Sequence, residues 1–413
     1  MVRLAREAAR AGVFSQAEAN WRAVLEQDPG HAEALFTTGM LALSRGDQAA
    51  ALDLLSRSRS VQPRHTPTHL ALATLKQQQG DDEGEMQCLE MALRIDPYFL
   101  PAMLAKAANL KRRGQTRAAA WHYGNALKVV PKDARLAPEL MNALTQARQF
   151  VAANARALNA FTRERMEQIK QSHPGADLRR LEESIDIATG TRKRYVSEPL
   201  TLYFPRVPSV QFFDREDFAW VSELEAKTQE IKSECEALLK RSQEDFEPYV
   251  QFRPGMPVNQ WADLNNSKNW STYFLWKGGE KIAPHCEACP KTAAALEAVP
   301  MADFDGHSPV AMFSVLQPHT RIPPHTGETN ARLVVHLPLI IPPACAFRVG
   351  NETREWREGQ VFIFDDSIEH EAWNDSDYVR TVLIFDIWNP HLTAAERAGA
   401  VATMHALRDF YAA

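Results

Sequence analysis

Small, apolar and turn-forming residues return at a fixed interval through the first third of the chain. Gly12, Gly46, Gly80 and Gly114 are spaced by 34 residues, and so are Pro29, Pro63, Pro97 and Pro131. Between them, small residues recur at Gly39, Ala73 and Ala107 and at Ala17, Ala51 and Ala119, with bulky partners at Trp21, Leu55, Leu89 and Tyr123. This pattern predicts pairs of antiparallel helices. Each glycine serves the turn inside a pair, each proline follows a second helix, and the small residues let the two axes approach. The units run over 32–65, 66–99 and 100–133, with a truncated unit before them.

The period and its two punctuating residues resemble the tetratricopeptide repeat. That resemblance implies an all-α solenoid over residues 1–171, whose groove takes a protein or peptide partner; a purely scaffolding or dimerising role stays open beside it. Two positions depart from the pattern. Glu85 replaces a small residue in the third unit, and Ser58 stands where Ala92 and Ala126 stand later. Helical periodicity continues over 134–171, through Leu136, Leu140, Leu144, Phe150, Leu158 and Phe161, and predicts a cap. Ser172-His173-Pro174-Gly175 breaks it. Residues 172–199 then read as a linker, with a short helix over 176–187 and an exposed basic run, Gly190-Thr191-Arg192-Lys193-Arg194.

From about residue 200 the pattern changes to short apolar runs separated by Gly, Pro, Asn and Asp. One amphipathic helix is predicted over 215–239. Strands are predicted over 310–317, 332–341, 345–349, 360–364 and 379–387, and Asn269 to Trp276 alternates like another, its aromatics serving a pocket floor or the core. Many short strands with little helix imply a two-sheet jelly roll over 200–395, followed by a helical tail over 396–413. The fold class is therefore multidomain α plus β.

Composition narrows the function. The formal charge of −5 and a pI near 6.2 give no basis for nucleic acid or an anionic membrane as partner. No apolar run is long enough to cross a bilayer, and the N-terminus lacks the apolar core of a signal peptide. The five cysteines are few and scattered, which points to a reducing cytoplasm. His285-Cys286-Glu287-Ala288-Cys289 has half the spacing of a zinc site with no second pair to complete it, so a loop with ordinary thiols is expected.

The candidate chemistry lies between Ser314 and Arg380. His325 and His370 flank predicted strands and are the candidate metal ligands; two imidazoles leave a divalent ion open positions, which suits iron(II) and oxygen chemistry. A facial triad adds an acid two residues after the first histidine, and that position is Gly327. His336 also reads as an ordinary core histidine and Arg380 as a surface ion pair. Asp365 and Asp366 read as turn formers or as partners of the ligands, and neither His319 nor Glu328 is expected to be a ligand.

Three motifs carry a further resemblance: Pro324-His325-Thr326-Gly327 with Thr329-Asn330, His336-Leu337-Pro338-Leu339, and Gly350 to Trp356 running on to Phe364-Asp365-Asp366-Ser367-Ile368-Glu369-His370-Glu371, closing with Trp388-Asn389-Pro390-His391-Leu392. Residues 200–395 resemble the aspartyl/asparaginyl β-hydroxylases, which use iron(II), 2-oxoglutarate and O2. The family binds iron through two histidines without a carboxylate, which accounts for Gly327. The resemblance implies that His325 and His370 are catalytic and hold the metal, that Ser314, His336 and Arg380 bind 2-oxoglutarate, and that Arg332 binds a substrate carboxylate. Animal members have an arginine where this chain has Val334, so anchoring of the cosubstrate falls more on Arg380. The implied reaction hydroxylates Asp or Asn, at Cβ, in a protein or peptide presented by the repeats. The alternatives are the same chemistry on a small molecule or lipid, and an inactive binding scaffold.

Overall fold

The computed structural model describes residues 1–131, 136–241, 243–304 and 306–412. The end of the third full repeat, the first two residues of the predicted cap, and residue 413 of the predicted tail lie outside them. The chain divides into two compact units, Met1–Arg192 and Lys193–Ala413.

The first unit is helical. Four hairpins follow one another: α1 (Val2–Arg10) with α2 (Phe14–Gln27), α3 (Ala32–Ser44) with α4 (Gln48–Val61), α5 (Thr66–Gln78) with α6 (Asp82–Ile95), and α7 (Leu100–Arg112) with α8 (Thr116–Lys128). The four turn glycines all adopt positive φ, between +71° and +78°, which a side chain rarely tolerates. Close approach explains Gly39, where a Cβ would stand 2.9 Å from the Leu55 side chain. Both departures are compensated locally. Buried Glu85 accepts from Asn109 Nδ2 at 2.8 Å and pairs with Arg112, and the buried Ser58 and Thr68 hydroxyls are bonded at 3.1 Å.

The predicted cap is a single helix, α9 (Pro138–Ser172), and the short helix that follows, α10 (Arg179–Thr189), starts and ends later than the sequence pattern placed it. This stretch is no loose tether. Asp186 of α10 accepts from Asn159 Nδ2 at 2.8 Å and Arg163 Nη2 at 2.7 Å on α9, and Gly190 closes the helix at φ +78°.

The second unit is built on antiparallel sheets. Its strands are β1 (Phe212–Phe213), β2 (Glu247–Pro248), β3 (Trp270–Lys277), β4 (Glu280–Lys281), β5 (Ala311–Leu316), β6 (Thr320–His325), β7 (Arg332–Ile340), β8 (Cys345–Val349), β9 (Glu352–Glu355), β10 (Phe362–Phe364), β11 (His370–Asn374) and β12 (Arg380–Trp388). The larger sheet has the order β1-β10-β7-β12-β5-β3-β2, with β4 on β3; the smaller is β6-β11-β8-β9. Side chains alternate faces along a strand. Phe313, Val315, Leu333, Val335, Leu337, Leu383, Phe385 and Ile387 therefore share one face, where they form a core with Val221 and Leu224 of α11 (Val221–Ala226), Ile231, Cys235 and Leu238 of α12 (Thr228–Arg241), Cys286 of α13 (Ala283–Ala288), and Leu296 of α14 (Pro290–Glu297). The opposite face meets the smaller sheet through Leu316, Phe364, Val382, Phe347, Val349 and Ala372.

Three sequence expectations are corrected here. The helix predicted over 215–239 is broken into a 3-10 turn, α11 and α12. Cys286 and Cys289 lie on and just after α13 instead of in a loop, buried in the core, and burial pushes Cys289 up to about 12. The predicted tail, α15 (Ala394–Ala412), is part of the unit: Ala400 and Met404 pack with Phe304, Trp388 and Leu392.

Candidate active site

Strands β6 and β11 pair with His325 opposite His370, and this register brings the ring centroids to 4.1 Å. Each Nδ1 faces the carbonyl two residues before it, Pro323 O at 2.8 Å and Ile368 O at 3.0 Å. A carbonyl only accepts, so Nδ1 carries the proton and Nε2 keeps its lone pair. Burial holds both imidazoles below their ordinary range, and for His370 the neighbouring His325 adds to it. Neutral rings with a free Nε2 and a carbonyl-bonded Nδ1 are the form that binds metals. Among the described residues no third His, Cys, Asp or Glu joins them in a metal-holding group. At Gly327 there is no room for one: a Cβ would run into the Asp366 carboxylate.

The two histidines line a cavity of about 600 Å³ together with Ser314, Arg332, His336 and Arg380. The structure thus gathers all six residues that the sequence singled out. Alternation on the larger sheet does most of this, presenting Ser314 of β5, Arg332 and His336 of β7, and Arg380 of β12 on one face.

At the inner end Arg380 is 1% exposed. Its Nη1 reaches only the Ser314 carbonyl at 3.5 Å, its Nε has no partner, and Trp356 lies under it at 4.9 Å. Burial pulls the guanidinium down to about 10, so it stays charged at neutral pH. No carboxylate pairs with it among the described residues. Beside it, Trp270 Nε1 donates to Ser314 Oγ at 3.0 Å, which leaves the serine O–H free to donate elsewhere. His336 is buried with Nδ1 unpartnered, and burial together with Arg380 lowers it to about 3. The expectation of a surface ion pair for Arg380 is overturned. A lone buried cation with neutral donors around it is a site built for an anion.

The outer end differs. Arg332 pairs with Asp386 and, at 3.3 Å, with Glu328, and it donates to Ser308 Oγ at 3.0 Å. Burial opposes its charge, but Asp386, Asp366 and Glu328 outweigh that and hold the guanidinium above its ordinary value. Asp366 is 8% exposed with Oδ1 unpartnered, and burial pushes it up to about 7 against the pull of Arg332. Tyr249, Phe252, Trp261 and Trp270 form an aromatic wall, with Trp261 edge-on to His325 at 4.9 Å.

The loop after His325 is held by a backbone strap. Leu200 N donates to Gly327 O at 2.9 Å, Thr201 N to Glu328 O at 2.9 Å, and Glu198 N to Ser367 O at 2.8 Å; Asn330 exchanges two bonds with the Phe204 backbone.

Asp365 is a turn former, accepting from Ser367 N at 3.0 Å, whereas Asp366 faces the cavity. His319 is exposed and bonds Asp377 at 3.0 Å, away from the site. Sequence reasoning missed Tyr249 and Trp261, which come from an irregular stretch with no periodic signal. It also missed Asp386, whose signal was present as a lone charge inside the apolar run of β12.

Residues 225–390 match the model of the aspartyl/asparaginyl beta-hydroxylase family. The aspartyl/asparaginyl beta-hydroxylase of Mus musculus is 41% identical over 144 residues, 35% of this chain and 19% of that protein. An ornithine lipid ester-linked acyl 2-hydroxylase of Rhizobium tropici is 33% identical over 197 residues, 47% of this chain and 66% of that protein. The chain thus spans less than a fifth of the mouse relative. Among solved structures, MamA aligns with 42% of this chain and 94% of its own at 16% identity and a TM-score of 0.32. The repeats rest on their own period and helix pairing. No helix among the described residues is long and apolar enough to cross a membrane. With its two facing histidines, its glycine at the acid position and the match over 225–390, the second unit is what this chain shares with the aspartyl/asparaginyl beta-hydroxylase family.

Proposed function

We propose that the second unit is a double-stranded β-helix, or jelly-roll, oxygenase that uses iron(II), 2-oxoglutarate and O2 to hydroxylate Asp or Asn at Cβ in a protein or peptide delivered by the repeats. One observation carries this reading. Two neutral histidines with free Nε2 atoms share a cavity with a buried, unpaired guanidinium.

The residues present fit both absent groups. His325 and His370 would hold the metal, which suits iron(II) because two nitrogen ligands leave several positions open. Arg380 and the free O–H of Ser314 would bind one carboxylate of 2-oxoglutarate, with His336 beside them. Val334 lines the same cavity without adding a charge, which leaves Arg380 as the anchoring cation at this end. When bound, iron and 2-oxoglutarate supply the oxidation: one atom of O2 enters a substrate C–H bond, the other enters succinate, and carbon dioxide leaves. The chain's own part is to orient the reacting carbon against the aromatic wall, to exclude water, and to keep Nε2 of each histidine unprotonated. Asp366, poised near neutrality at the same cavity, can hold or release a proton. All five cysteines are free, which supports a reducing compartment, the cytoplasm.

An anaerobic titration with iron(II) and 2-oxoglutarate tests this directly. A charge-transfer absorption band and, on admitting oxygen, stoichiometric succinate are expected; absence of both sinks the reading.

The aromatic wall and the similarity to a lipid hydroxylase favour a second reading, the same chemistry on an acyl chain. Succinate release stimulated by micellar lipid but by no peptide would select it.

A further inference from the structure

At the outer end of the cavity carboxylates outnumber cations. Glu328 and Asp386 both pair with Arg332, so two carboxylates already surround its guanidinium. Asp366 lies on the same side as a third, buried and with Oδ1 unpartnered. Tyr249 lines the same cavity. His307 Nδ1, 3.5 Å from Glu328, adds a positive charge only when protonated.

The other cation, Arg380, does not offset this excess. It opens β12, whereas Arg332 is in register with Trp388 at the far end of that strand. Those eight steps are on the order of 25 Å of backbone. A carboxylate arriving beside Arg332 would meet its unpartnered Nε but would be the fourth carboxylate around one guanidinium, whereas an amide N–H2 or an ammonium would meet the unpartnered Asp366 Oδ1 and a surplus of negative charge.

We propose that this outer end, formed by Glu328, Arg332, Asp366 and Asp386, recognises a hydrogen-bond-donating head on the substrate residue and discriminates against a carboxylate, so that asparagine is bound in preference to aspartate. This replaces the role expected for Arg332 as a substrate-carboxylate anchor. Arg332 instead orders the carboxylates that accept from the substrate. The inference rests on the proposed function, because it assigns Arg380 to the cosubstrate.

The test uses the full chain with zinc(II) in place of iron and saturating 2-oxoglutarate, at about pH 8. Three capped probes differ mainly in head charge: the N-acetyl amides of aspartate, asparagine and 2,4-diaminobutyrate. Their affinities are measured by saturation-transfer NMR. Asparagine and diaminobutyrate are expected to bind about tenfold more tightly than aspartate. Glu328→Gln, at a half-exposed position that leaves the fold intact, should narrow that gap to about threefold or less. Aspartate binding as tightly as asparagine, no detectable binding of any probe, or a gap unchanged in Glu328→Gln each overturns the proposal. The separate iron(II) titration judges the oxygenase reading, so a missing charge-transfer band and a reversed probe order are distinct failures.

Discussion

The Asp366 carboxylate fills the space into which a side chain at Gly327 would project. The acid missing from position 327 is therefore excluded sterically by an acid that arrives from the other histidine's loop. Because Gly327 is also pinned through its backbone, with its N–H on Asp366 O at 2.7 Å, the loop cannot move aside freely. Gly327→Ala should destabilise the second unit by about 1–3 kcal/mol, as overpacking does, and lower iron affinity. Urea unfolding and the anaerobic iron titration check the two effects separately.

Arg380 is predicted to oppose stability while it supports binding. A buried cation without a partner is unfavourable in the absence of an anion, so Arg380→Met should leave the protein equally stable or raise its stability by about 1–2 kcal/mol. The same change should remove the thermal stabilisation by 2-oxoglutarate, which in the unaltered chain amounts to about 2.7 kcal/mol at a hundredfold excess over Kd. Paired thermal melts with and without 2-oxoglutarate read both signs.

Acid should weaken the second unit through its histidines. His336 is lowered to about 3 in the folded chain, against an ordinary value of 6.5. Between those values the unfolded chain takes up a proton that the folded one refuses, so stability is full above pH 6.5 and is lost as the pH falls toward 3. The slope for one such group is about 1.4 kcal/mol per pH unit. His336→Phe, which keeps a ring against Phe347, Phe364 and Trp356, should lose less stability between pH 6.5 and 4.5 than the unaltered chain in urea titrations.

His370→Ala should abolish succinate formation and the charge-transfer band, while the helical signal of residues 1–192 and their unfolding transition stay unchanged. Loss of the repeat transition would show that this residue supports the fold more widely than its contacts indicate.

Much of this was legible in the sequence, for physical reasons that also mark where legibility stops. The 34-residue period survives because each turn needs a glycine at positive φ. β5, β7 and β12 are readable because both faces are packed and their runs are mostly apolar, with Ser314, His336 and Asp386 as the few interruptions. β6 was missed because Pro323 and Pro324 argue against a strand; they are tolerated because β6 is the edge of its sheet and its register with β11 shifts between His370 and Ala372, opposite the two prolines. β11 was missed because its inward positions are His370, Ala372 and Asn374, buried yet not all apolar. The site residues could be singled out, but not their charge states. That Arg332 is surrounded while Arg380 is alone depends on Asp386 of β12 meeting Arg332 of β7 across strands, which spacing along the chain does not encode.

The strap from Glu198 to Phe204 has a practical consequence. It lies wholly before residue 225, where the family match begins, yet its backbone supports the loop that follows His325. A fragment cut to the matched stretch would keep every candidate ligand and lose the scaffold that aligns them. It should show weakened metal binding for that reason alone. The second compact unit begins at Lys193, about thirty residues before the family match, so a fragment starting there is expected to bind metal more tightly than one starting at residue 225.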